Sequence, residues 1–247
     1  MISDCLIGNI LDLSEKDYSI SKIKEEIFNL KNNPINFIYL GQKSYRPICD
    51  LQQQLHDAVK NEVISSTVLF LEHDHVYTFG KNANKDFLLN SYPKDVDVIE
   101  TDRGGQVTYH GPGQIVGYPI INLNHFKKSV SWYMRSLEQV IIMTLNDYNV
   151  TAERKDGMTG VWVDDEKIAA LGVRLSRWVS MHGFAINIYT DLSLYRGMIP
   201  CGISDFGLTS IFKHKNEKYN LKSIAKLMAS NIENMLLSEQ FREVENV

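Results

Sequence analysis

The sequence predicts an α+β fold, with helices flanking a mixed, largely antiparallel sheet. Three observations carry this. Short apolar or alternating runs recur along most of the 247 residues, separated by polar turns. Only four stretches repeat their apolar residues at helical spacing. Strand and helix never settle into the regular alternation that a parallel βαβ sheet imposes.

Residues 1–34 read as a charged leader of unassigned role, and 35–247 as one domain. Inside the leader, SISKIKEEIFNLKNN (19–33) is amphipathic and stops at an Asn-Asn-Pro break. INFIYL (35–40) is a strand and 45–61 a helix. STVLFLEH (66–73), HVYTFG (75–80) and VDVIET (96–101) are strands. GQVTYH (105–110) alternates, so Gln106, Thr108 and His110 share one face and Val107 and Tyr109 the other. QIVGYPIINL (114–123) is a mostly buried strand. Val130, Tyr133, Leu137, Ile141 and Tyr148 mark a helix over 129–148, with Ser129 as its N-cap. GVWVDDEKIAALGVRL (160–175) is a hairpin turning at DDEK, and WVSMHGFAINI (178–188) a further strand. Leu221, Ile224, Leu227, Met228, Ile232 and Leu236 form the stripe of a last helix over 221–237.

Composition narrows the function. A net charge of −4 offers no general attraction to nucleic acid or anionic membranes. The longest apolar run is too short to span a bilayer, and the first residues lack a basic secretory n-region. Three dispersed cysteines without CxxC or zinc spacing argue for a reducing compartment, so a cytoplasmic protein is expected.

RGGQVTYHGPGQ (103–114) crowds four glycines beside Arg103, Gln106, Thr108 and His110. A Walker loop needs a lysine that is missing here. A dinucleotide fingerprint needs GxGxxG leading into a helix, whereas Gly111, Gly113 and Gly117 are spaced GxGxxxG between strands. A glycine hairpin explains the glycines but not the polar groups beside them, whereas a substrate cleft explains both. MIPCGISDFG (198–207) sets Cys201 between proline and glycine, where a substrate atom could approach the sulfur. A nucleophilic thiol needs a cationic or basic neighbour, and His110, His182 and Lys167 are the candidates. His73 and His75 make an HxH without a convincing third ligand, so no metal is expected.

Three blocks, DRGGQVTYHGPGQIVGYPI, KIAALGVRLSRWVSMHGFAINI and PCGI…LTSI, closely resemble the lipoyl(octanoyl) transferases of the biotin/lipoate ligase superfamily. The likeness runs from about residue 35 to about 237, leaving the leader outside it. It implies the catalytic-domain fold of that superfamily and transfer of an octanoyl group from acyl carrier protein to a lipoyl-domain lysine. Acceptors would be lipoyl domains of 2-oxoacid dehydrogenases and the glycine cleavage H protein. No cofactor is implied, and a monomer is expected. By the family's pattern Cys201 forms the acyl thioester and Lys167 lowers its pKa. Arg103, Gly104, Gly105, Gln106, Val107, Thr108, Tyr109 and His110 would contact substrate. So would Ala170, Leu171 and Gly172, and Gly183, Phe184 and Ala185. An acidic carrier protein would dock on local basic residues, with Arg174, Arg177, Lys127, Lys128, Lys213 and Lys215 as candidates. Three other readings remain open: an ATP-dependent lipoate or biotin ligase, a non-catalytic binding module and a Cys–His hydrolase.

Overall fold

The computed structural model of the chain describes residues 10–15, 18–30, 33–199 and 207–237. In chain order the strands are β1 (Ile10–Asp12), β2 (Ile35–Lys43), β3 (Ser66–His73), β4 (Val76–Phe79), β5 (Asp97–Glu100), β6 (Thr108–His110), β7 (Gln114–Ile120), β8 (Glu153–Lys155), β9 (Met158–Val163), β10 (Glu166–Ser176), β11 (Val179–Asn187) and β12 (Gly207–Leu208). The α-helices are α1 (Ile20–Asn29), α2 (Tyr45–Lys60), α3 (Val130–Asp147), α4 (Ile211–Lys215) and α5 (Leu221–Leu237). The fold is α+β, as the sequence predicts.

The main sheet runs β1-β2-β3-β7-β11-β10-β9-β8, with β12 added beside β10. Its first three strands are mutually parallel and the path from β3 to β8 is antiparallel throughout. β4, flanked by β5 and β6, forms a second, three-stranded sheet. Alternation decides which side chains each face of the main sheet buries. Ile35, Phe37, Val68 and Phe70 pack with α3 and α5 on one face; Ile38, Leu40, Leu69 and Leu71 pack with α1 and α2 on the other. Strands buried on both faces read as near-continuous apolar runs, which is why INFIYL and STVLFL carry almost no polar residue.

The helices start where their sequences say. Ser129 Oγ accepts the Trp132 N–H at the start of α3, and Ser19 caps α1 in the same way. Two local features differ from expectation. β6 covers only Thr108–His110, because 103–107 loop over the end of β4: Lys81 N–H donates to Arg103 O, and Gly80 N–H to Gln106 O. Part of the leader belongs to the main body of the fold, since Ile10–Asp12 pairs with β2 and α1 buries Ile23 and Ile27 against the α2 layer. Among the described residues no helix is long and apolar enough to cross a membrane.

Candidate active site

A pocket enclosing about 780 Å³ of empty space, its open mouth included, lies where the 103–108 loop crosses β10 and β11. Its walls bring together three segments far apart in sequence. Arg103, Gly105, Gln106, Val107, Thr108 and His110 line one side. Lys167, Ala170, Leu171 and Gly172 come from β10, and Gly183, Phe184 and Ala185 from β11. Two predicted residues stand outside the wall. Gly104 instead donates its N–H to Val173 O, tying the loop to β10. Tyr109 points away, as strand alternation requires, into the cluster under the second sheet. Cys201 lies outside the described residues. Of the chain on either side of it, Met198 lines the pocket, and Gly207 and Leu208 pair with Glu166 and Lys167.

Lys167 is only 7% exposed, buried in the way a partner of the thiol would need to be. Its Nζ sits 4.6 Å from the centre of the Trp162 ring, a cation–π distance. Val116, Ile168, Ala169 and Phe184 add apolar lining. Gly117 permits this, because a Cβ there would fall 2.1 Å from the Phe184 ring.

Arg103 is drawn into the second sheet, where its Nη2 donates to Thr78 O at 2.6 Å and to Thr78 Oγ1 at 2.9 Å. Beside it Asp102 accepts from His182 Nε2 at 2.7 Å and from the Arg174 guanidinium. Burial pushes the Asp102 carboxyl up, but those two partners outweigh it and hold it below its ordinary value. Burial likewise outweighs the pull of Asp102 on His182 and leaves that imidazole below its ordinary value, neutral at pH 7. This aspartate is a carboxylate orienter for His182 that spacing along the chain does not reveal. It also engages Arg174, one of the six basic docking candidates, while Lys213 is paired with Glu166.

His73 and His75 are engaged elsewhere. His73 Nδ1–H donates to Lys43 O at 2.8 Å and its Nε2 accepts from Tyr118 OH at 2.7 Å. His75 Nδ1 and Tyr109 OH are 2.6 Å apart. Among the described residues no three His, Cys, Asp or Glu side chains converge as metal ligands would. Tyr45, Tyr118, Asn187 and Tyr195 also reach the pocket, beyond the contacts that the resemblance implies. Only Asn187 carried a hint, as the one amide in the strand HGFAINI.

Residues 44–233 match the family described as the lipoyl protein ligase A/B catalytic domain. An octanoyltransferase of Solibacter usitatus is 47% identical over 173 residues, 67% of this chain and 77% of its own. An octanoyltransferase of Cytophaga hutchinsonii is 39% identical over 226 residues, 79% and 93% of the two chains. Among solved structures, a bipartite lipoate protein ligase from Thermoplasma acidophilum superposes with a TM-score of 0.62 at 12% identity. The match covers 82% of this chain and 87% of that one, a likeness of fold.

Proposed function

Since the chain belongs to the lipoyl protein ligase A/B catalytic-domain family, we propose that it carries an octanoyl group from acyl carrier protein to a lipoyl-domain lysine through a thioester on Cys201. The relatives named octanoyltransferase support the transfer. The observation that carries the reading is the buried Lys167 in the wall of a largely apolar pocket, on the strand that β12 joins just after the Cys201 segment.

In the first half-reaction the Cys201 thiolate attacks the donor thioester carbonyl, and the carrier's sulfur leaves with the electron pair of the broken C–S bond and takes a proton from the Lys167 ammonium, leaving that amine neutral. An ammonium about 4 Å from a thiolate contributes on the order of 4 kcal/mol at an effective dielectric near 20. At about 1.4 kcal/mol per pKa unit, half of that makes the thiol largely thiolate at pH 7. In the second half-reaction the acceptor's ε-amine attacks the acyl carbon, Lys167 receives the amine proton, and Cys201 leaves as thiolate. An amide replaces the thioester. Burying roughly six methylenes at about 0.8 kcal/mol each holds the acyl chain. Neighbouring chain lengths are therefore separated by only about 1–3 kcal/mol.

Intact-mass measurement of the chain mixed with octanoyl carrier protein, without ATP, tests this. Its mass should rise by one octanoyl group, and Cys201→Ser should abolish the rise. A rise that survives Cys201→Ser removes the thioester from Cys201, and a strict need for ATP would favour a ligase.

A further inference from the structure

The proton on the His110 ring is fixed by a chain of amides behind it. Asn187 Nδ2 donates to Thr209 O at 3.1 Å, so the Asn187 oxygen is the end that faces Gln114. Gln114 Nε2 donates to that oxygen at 3.0 Å and also to Tyr109 O at 3.3 Å, a carbonyl that can only accept. Gln114 Oε1 is therefore left facing His110, 2.8 Å from its Nδ1, and must receive a proton from it. The relay is dry: Gln114 is wholly buried and Asn187 nearly so. Burial, and next the neighbouring His73, push the His110 imidazole down to about 3, so the ring is neutral. Arg103 and His182 act in the same direction. A neutral ring protonated at Nδ1 carries its lone pair on Nε2. Among the described residues none bonds that Nε2, and His110 lines the pocket.

We propose that His110 Nε2 is a built hydrogen-bond acceptor for a substrate N–H inside the pocket, with Gln114 and Asn187 as positioning residues that hold it in the accepting tautomer. This rests on the transfer reaction above. Two substrate groups share that chemistry: the acceptor's ε-amine as it approaches the thioester, and an amide N–H of the donor's thioester-bearing arm. In either case the ring orients the N–H without removing its proton, because a nitrogen that stays neutral down to about pH 3 is a weak base. Proton removal is left to Lys167.

Nitrogen NMR of the histidine-labelled free chain reads the tautomer without turnover. A protonated Nδ1 and a pyridine-like Nε2 are expected at His110, and a protonated Nε2 overturns the proposal. This readout stands whether or not an acyl-enzyme forms, so failure of the transfer reading is seen separately, in the unmodified chain's mass. Single-turnover kinetics then identify the substrate group. His110→Asn can still bond Gln114 but presents no acceptor where Nε2 was. It should slow one half-reaction about tenfold or more. His110→Gln, whose amide oxygen reaches that position, should recover most of the loss. A deficit confined to acyl-enzyme formation assigns the donor amide, and one confined to transfer assigns the amine. Equal deficits in both half-reactions, or none in either, overturn the proposal.

Discussion

At the residue scale the proposed chemistry depends on how one lysine stem is held. Lys167 runs between the Trp162 ring and Gly160, where an added Cβ would lie 3.1 Å from Lys167 Cε and 3.0 Å from Ala169 O. Gly160 also has a φ of 141°, which an L side chain rarely adopts. Its N–H is pinned at 3.0 Å by Glu138, a buried carboxylate that pairs with Arg135 and Arg154. Gly160→Ala should therefore push the ammonium aside. Since a misplacement of about 1 Å can cost on the order of a hundredfold in rate, acyl-enzyme formation should slow tenfold or more with the helical circular dichroism intact. Rapid-quench mass spectrometry would measure it, and an unchanged rate would mean that the stem's path does not matter. In sequence, Lys167 is one of three candidate partners for the thiol, beside His110 and His182, and the motif resemblance chooses among them. Its burial comes from Trp162 and Gly160, on a strand that pairs with β10 across the DDEK turn.

At the element scale, most strands and helices follow from periodicity because each buries a face its own residues define. α5 spans the expected 221–237, and β3 the expected 66–73. β1 could not be read this way: three residues have no period, and its pairing is with a strand beyond an intervening helix. The turn between β10 and β11 is illegible for another reason. Arg177 and Trp178 have φ of 50° and 65°, the pair of positive values that a two-residue type I′ turn demands. Such turns normally announce themselves with Asn-Gly. Each left-handed residue costs roughly 1–2 kcal/mol, which the register of the long hairpin and the Leu123 N–H bond to Trp178 O hold in place. Replacing the pair by Arg177→Asn and Trp178→Gly should stabilise the chain by about 1 kcal/mol after the partial packing of the Trp178 ring is lost. Denaturant titration reads this as a higher midpoint at constant slope; a lower midpoint would mean that the indole's contacts exceed the strain.

At the scale of the whole molecule, the two sheets meet through imidazoles. His73 closes β3 in the main sheet and His110 closes β6 in the second, their ring centres 5.9 Å apart, while Tyr45 at the start of α2 packs 4.9 Å and 6.1 Å from them. HxH and YHG are visible in sequence, but nothing in their spacing shows that the two motifs share one dry junction. Burial pushes His73 down to about 4 and is the main cause that takes His110 to about 3, while in the unfolded chain both titrate near 6.5. Between those values the unfolded chain binds protons that the folded chain refuses, so unfolding becomes easier as pH falls. The stabilisation is fully present above about pH 6.5 and is lost progressively on acidification below it. At pH 5 the cost is about 2 kcal/mol for each imidazole, from about 1.4 kcal/mol per unit. The depressed carboxylates Asp12, Asp57 and Asp102 act in the same sense, but only near and below their ordinary value of 3.8. Burial also lowers His56 and His182, which add to the loss, and raises Glu72, which opposes it. Urea unfolding followed from pH 7 to pH 5 should thus show stability falling by about 2–4 kcal/mol. A level curve over that interval would mean that water reaches the junction and that the imidazoles take up protons in place, which would also release His110 from the neutral form its hydrogen bonds now select.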